Sequence, residues 1–298
     1  MAAQTIRNRM QPWTFLAPFL LLFVAFLLVP LIYAVYISFF VRRMGVLYFV
    51  GFQNYITAIQ DHQFWVSIVR VFFYGVVQGV IMIALALLLA LLLDTKWAKF
   101  KSLFRLMFLL PYAVPGVFAS ILWGFLYSKS MNPLLHNLKF NPLSSGFLLY
   151  AIVNIATWEW AGYNMILYIA SLTGVSTELY EAAKLDGCDE WQLARFIKLP
   201  LLKPTIVMTC ILSFIGSMQL FNEPFLLTAL TPISPDFTPN IYIYNMAFSM
   251  TNLPYAATLS VFLALITILI SVIALTVNRL WRRRTPTAGA GASAAPAA

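Results

Sequence analysis

Six stretches of this 298-residue chain are long and apolar enough to cross a lipid bilayer, and nothing else in the sequence limits its fold as strongly. A helix needs about 20 mostly apolar residues to span the roughly 30 Å hydrocarbon core. The stretches run over about 13–40, 68–93, 106–127, 148–172, 205–229 and 256–277. Backbone groups inside lipid must pair within their own segment, so such runs are helices, and the strict alternation of barrel strands is absent. Only 10% of the residues are charged and 61% are hydrophobic, against about 25% charged in an average soluble domain. A soluble enzyme, a disordered chain and a coiled coil are excluded. The expectation is an all-α, polytopic membrane protein with six transmembrane helices, occupying residues 13–280 between a short tail (1–12) and a basic, then disordered tail (281–298).

The first stretch would extend about 42 Å as one straight helix, so a tilt or a kink near Pro30 is expected. Its length and the lack of a small-residue cleavage site argue against a signal peptide. Orientation follows from the basic residues outside the stretches. Fourteen fall in the N-terminal tail, the 94–105 loop, the 173–204 loop and the C-terminal tail, against Arg42, Arg43, Lys129 and Lys139 on the other side. The richer side faces the cytoplasm, which puts both termini there in a multi-pass protein. The net charge of +9 is explained by this bias, without nucleic acid as a partner. Cys188 and Cys210 lack metal-ligand spacing and read as free thiols. His62 and His136 read as surface residues, and no Gly-x-x-x-x-Gly-Lys-Ser/Thr phosphate loop occurs. The chain is therefore expected to bind no metal, nucleotide or other cofactor itself.

Polar pattern is organised in the 173–204 loop. Ser176 or Thr177 can cap a short helix, with Glu178 and Glu181 near its positive end. Gly187 fits a left-handed residue ending that helix, and Asp189 with Gln192 forms a capping box for a second one. Pro200 and Pro204 are expected to break the chain before the next span. Glu181-Ala-Ala183, three residues, Gly187, nine residues and Ile197-Lys-Leu-Pro200 together resemble the signature of membrane subunits of bacterial ATP-binding-cassette importers. Gly51-Phe-Gln-Asn-Tyr55, Arg105, Pro111 and Trp123 are similar to features of the carbohydrate branch, the maltose and glycerol-3-phosphate type permeases. The resemblance covers about residues 13–280 and implies the type I, MetI-like importer permease fold in its shorter, six-span form, in the bacterial inner membrane. It also implies partners: a second homologous permease subunit, two ATP-binding subunits that use ATP and Mg, a solute-binding protein (extracellular or lipid-anchored) and a carbohydrate. Carried over by position, Glu181, Ala182, Ala183, Asp186 and Gly187 would contact the ATP-binding subunit.

Polar residues inside membrane spans are costly and mark functional sites by default. Glu159 and Asn164 lie in the fourth stretch, Gln219, Asn222 and Glu223 in the fifth beside Pro224, and Tyr255 at the start of the sixth with Thr258. They either join helices or edge a pathway for a hydroxyl-rich solute, whose hydroxyls suit carboxylates and amides. Arg70 either pairs with another group or snorkels outward. The function expected is thus the membrane-spanning, non-enzymatic subunit of an ATP-driven, binding-protein-dependent sugar importer. A small anionic solute such as glycerol-3-phosphate is an alternative. An ion-coupled secondary transporter with Glu159 as proton site is a more distant one.

Overall fold

The computed structural model describes residues 15–95, 99–136 and 140–284. The expected N-terminal tail, Lys96, Lys139 and the chain after Arg284 lie outside the described residues, as do the side chains of His136 and of residues 278–284. The chain's described residues form two compact units, one from 15–65 with 239–266 and the other from the described part of 66–238 with 267–284.

The first unit begins with α1 (Phe15–Ile37). A π-helical turn at Val24–Leu28 stands just before Pro30, where a tilt or kink is expected; such turns are a usual place for a distortion in a long helix. A hairpin follows, β1 (Phe40–Arg43) and β2 (Val46–Phe49), paired from Phe40↔Phe49 to Arg43↔Val46. Its two-residue loop has φ of 49° at Met44 and 84° at Gly45, the pattern that suits the strand twist. Helix α2 (Gln53–Gln60) carries buried Asn54, whose Nδ2 donates to the carbonyls of Ser38 at 2.8 Å and Phe40 at 2.7 Å. The Gly51–Tyr55 motif thus closes the turn out of α1: Tyr55 also shares a 2.7 Å hydrogen bond with Ser38 Oγ, and Thr258 donates to the Ser38 carbonyl at 3.0 Å. Asp61 caps the start of α3 (His62–Asp94), where its Oδ1 accepts from the Phe64 amide at 3.1 Å. Its Oδ2 accepts from Tyr242 at 2.9 Å and Tyr255 at 2.7 Å, on the helices Pro239–Tyr244 and Leu253–Arg284.

In the second unit, α4 (Lys101–Ala113) and α5 (Gly116–Tyr127) make one expected span, bent by 95° between them. Pro115 explains the break: it disfavours helical geometry at the residue before it, and Val114 is extended (φ −80°, ψ 123°). Helix α6 (Leu148–Thr173) is the centre of this unit, with 15 of its 26 residues buried. Helix α7 (Thr177–Leu185) lies in the polar loop, α8 is Glu190–Ser217 and α9 is Asn222–Leu227. The final helix, α10 (Leu253–Arg284), runs through both units.

Among the described residues four helices are long and apolar enough to cross a membrane: α1, α3, α8 and the Leu253–Val277 part of α10. The bent pair α4–α5 makes a fifth. The remaining expected span is α6, which is long enough at about 39 Å but carries Trp158, Glu159, Trp160 and Asn164. A helix enclosed by others need not be apolar on every face, and the packing of α6 against α4, α5 and α8 meets that condition. Its approach to α4 is close enough that a Cβ on Gly162 would lie 1.7 Å from the Phe108 carbonyl oxygen. Small residues at crossings are how membrane helices gain packing contacts.

The fifth span also differs from expectation. Helix α8 starts in the polar loop and passes Pro200 and Pro204 without a break. A π-helical turn at Ala194–Lys198 precedes Pro200, which falls in the first turn of the segment that follows, where a missing amide matters little. The helix ends at Ser217 rather than near 229, and the interruption lies at Met218–Phe221, ahead of Pro224.

Candidate functional site

That interruption opens a cavity of about 470 Å³. Tyr74, Gln78 and Met82 of α3 line it at mid-helix, with Trp160, Tyr163 and Asn164 of α6 and Thr209, Ser213 and Ser217 of α8. The unwound Gln219 and the first residues of α9, Asn222 and Glu223, complete the wall. Along α3 and α6 the cavity falls between two apolar clusters. One contains Val71, Ile152 and Leu220, and the other Ala90, Ile169 and Leu202.

The polar groups keep bonding capacity. Gln78 Nε2 and Asn164 Nδ2 both lie 3.4 Å from the Met82 sulfur, a weak acceptor. Asn164 also donates to the Trp160 carbonyl at 3.0 Å. The aromatic wall is braced from behind: the Tyr112 ring stacks on Tyr163 at 4.7 Å and meets Trp160 edge-on at 5.3 Å. Glu223 is the one charged side chain lining the cavity, and no Lys or Arg reaches it among the described residues. Broad rings beside amides, hydroxyls and a carboxylate suit a polyhydroxylated solute, which stacks on the rings and exchanges hydrogen bonds with the rest.

Of the pathway residues expected from sequence, Asn164, Gln219, Asn222 and Glu223 come together here. Glu159 does not line the cavity. It is 8% exposed, and a Cβ on Gly116 would lie 3.2 Å from its Oε1. Its carboxylate therefore sits at the start of α5, where the helix dipole favours negative charge across the α4–α5 break. Tyr255 does not line it either; its hydroxyl donates to Asp61 Oδ2 at 2.7 Å. Arg70 pairs with another group, as one alternative expected: its Nη1 donates to the carbonyls of Asp236 at 2.9 Å and Phe237 at 3.1 Å. Tyr74, Gln78 and Met82 were not anticipated, although Gln78 is the single amide in the apolar run 68–93.

The polar loop forms as its sequence indicates. Gly187 has φ 84°, the Cys188 amide donates to the Ala183 carbonyl at 3.0 Å and the Gly187 amide to that of Lys184 at 3.1 Å. This is the paired ending of a helix by a left-handed residue. Asp189 Oδ1 accepts from the Gln192 amide at 2.6 Å while Gln192 Oε1 accepts from the Asp189 amide at 2.9 Å. Ser176 occupies the cap position of α7 without a side-chain hydrogen bond. Glu181, Ala182, Asp186 and Gly187 are exposed, whereas Ala183 is 7% exposed and packs inward. The surface open to another protein is thus made by the other four. Behind it, Lys198 Nζ lies 2.6 Å from Asp94 Oδ2 and 5.8 Å from the centre of the Tyr180 ring. Burial raises the Tyr180 phenol above its usual range, and the Asp94 charge adds to the rise.

Residues 10–285 match the family described as the binding-protein-dependent transport system inner membrane component. The chain is 35% identical over 270 residues to the lactose transport system permease protein LacF of Rhizobium radiobacter, covering 87% of this chain and 91% of that one. It is 30% identical over 276 residues to the arabinooligosaccharides transport system permease protein AraP of Bacillus subtilis, covering 89% and 87%. Its fold is similar to a chain of a bacterial ABC transporter that imports the acidic polysaccharide alginate, with a TM-score of 0.80, 21% identity and coverage of 96% and 99%.

Proposed function

The chain belongs to the family of inner membrane components of binding-protein-dependent transport systems, permease subunits rather than enzymes, and we propose that its solute is a sugar or short oligosaccharide without net charge. The observation that carries this reading is the cavity walled by Trp160 and Tyr163 and edged by Gln78, Asn164, Gln219, Asn222 and Glu223. A carboxylate with no basic neighbour repels an anionic solute, which weighs against glycerol-3-phosphate and against an acidic sugar. The relatives named for lactose and arabinooligosaccharides support the same class.

In this reading a second, similar permease subunit completes the pathway. Two ATP-binding subunits use ATP and Mg, and a solute-binding protein delivers the sugar. Both termini and the α7 loop face the cytoplasm, as the basic residues require. Glu181, Ala182, Asp186 and Gly187 dock on an ATP-binding subunit. Glu181 and Asp186 supply charge-assisted hydrogen bonds, and Ala182 permits close approach.

The test is uptake by proteoliposomes that contain the full complex, with ATP on the loop side. Neutral lactose or arabinotriose should accumulate, and an alginate trisaccharide should not. Equal uptake of the acidic sugar would refute the charge argument. Glu223→Gln should cut uptake at least about fivefold at unchanged folded yield; equal losses of uptake and yield would make Glu223 a helix-joining residue instead.

A further inference from the structure

Asp94, Tyr180 and Lys198 come from three separate segments: the last residue of α3, the middle of α7 and the π-helical turn of α8. Local structure does not ask for them. An acid at a helix C-terminus opposes the helix dipole, and Asp94 is the final residue of a 33-residue helix. Lys198 is an expensive place for a charge, since its side chain is 5% exposed. The Asp94 side chain is 23% exposed, and an ion pair with even one buried member is a poor stabilising device compared with apolar residues of similar size, while its geometry is strict. The Tyr180 hydroxyl adds to the cost, being buried without a hydrogen-bond partner among the described residues. The other ion pair of this loop, Lys184–Glu190 at 2.8 Å, is about one-third exposed on both sides and joins only α7 to the start of α8.

The pair links two walls of the cavity. Helix α8 is continuous with the polar loop and reaches the cavity at Thr209–Ser217, so it follows any displacement of the loop directly. Helix α3 supplies Tyr74, Gln78 and Met82 to the same cavity but is separated from the loop in sequence. Asp94 ties it to the base of α8. π-Helical turns gather at functional sites, and the ammonium partner of Asp94 stands on one.

We infer that the Asp94–Lys198 pair, resting on the Tyr180 ring, is the joint that makes α3 move with α8 when the loop is displaced. The three are positioning residues for transport. This inference rests on the reading of the α7 loop as the contact with the ATP-binding subunit.

The experiment uses the full importer with Cys188 and Cys210 replaced by serine and a reporter, Ser213→Cys, in the cavity wall. The rate of its labelling by N-ethylmaleimide is measured with and without ATP, beside ATP hydrolysis. With the pair intact, ATP should change the rate at least about fivefold, the lower end of usual coupling between sites. In Asp94→Asn, hydrolysis should continue while the ATP response drops below about twofold. The reversed pair, Asp94→Lys with Lys198→Asp, should restore it. A full response in Asp94→Asn overturns the inference. If Asp94→Asn does not assemble, the reversed pair decides: an assembled complex with the response supports the joint, and one without it overturns the joint. No response with the native pair, in a complex that hydrolyses ATP, removes the loop reading and this inference with it.

Discussion

A single methyl group on Gly162 should separate two helices. The Cβ of Gly162→Ala would lie 1.7 Å from the Phe108 carbonyl oxygen, 2.5 Å from its carbon and 3.1 Å from the Leu109 nitrogen. These are backbone atoms of α4, so no side-chain rotation relieves the clash. Ordinary contact requires α4 and α6 to part by about 1.5 Å, and a gap of 0.5–1 Å already forfeits a quarter to a half of each contact's attraction. Overpacking that side chains can absorb costs about 1–3 kcal/mol, and a backbone collision should cost at least the top of that range. The loss corresponds to a melting temperature lower by about 6–12 °C. Gly79→Ala is the reference, since a Cβ there meets nothing within 4 Å and gains up to about 1 kcal/mol of helix propensity. Both variants would be heated in detergent and the surviving monodisperse complex followed by size-exclusion fluorescence. Equal melting temperatures would refute the close α4–α6 crossing.

Three further substitutions probe other parts of the chain. Asp61→Ala removes the acceptor for Tyr242, Tyr255 and the Phe64 amide; hydrogen bonds to charged groups contribute about 1.5–3 kcal/mol each, so differential scanning should show a clear loss of stability. Asp189→Ala opens the capping box at the start of α8. The cost of about 1 kcal/mol should appear as roughly fivefold faster hydrogen exchange at the Gln192 amide. Gly187→Ala forces a side chain into φ 84°, at about 1–2 kcal/mol, and should reduce co-purification of the ATP-binding subunit in a pull-down.

What the sequence reveals depends on how local the cause is. The capping box and the left-handed Gly187 are legible because each is settled within a few residues. Asn164, Gln219, Asn222 and Glu223 are legible because a polar residue in an apolar run is conspicuous. The break at Val114–Pro115 carried a signal in Pro115, but hydropathy averages smoothly across it. Pro200 and Pro204 are the opposite case: a widened turn precedes Pro200, and Pro204 lies inside α8 without ending it. Glu159 and Tyr255 resemble the cavity residues in sequence, yet Glu159 lies against Gly116 and Tyr255 donates to Asp61. No periodicity reveals that Gly162 meets a carbonyl, or that Asp94 meets Lys198.

The unbroken run of α8 has a mechanical meaning. Its 28 residues make a rod about 42 Å long, with the α7 loop at one end and the cavity wall at the other. Such a rod is a lever: a swing of about 5° carries its tip by about 4 Å. On the proposed docking of the α7 loop, a small stroke at that end would be amplified at the cavity wall, and shortening the arm would demand a larger stroke for the same opening.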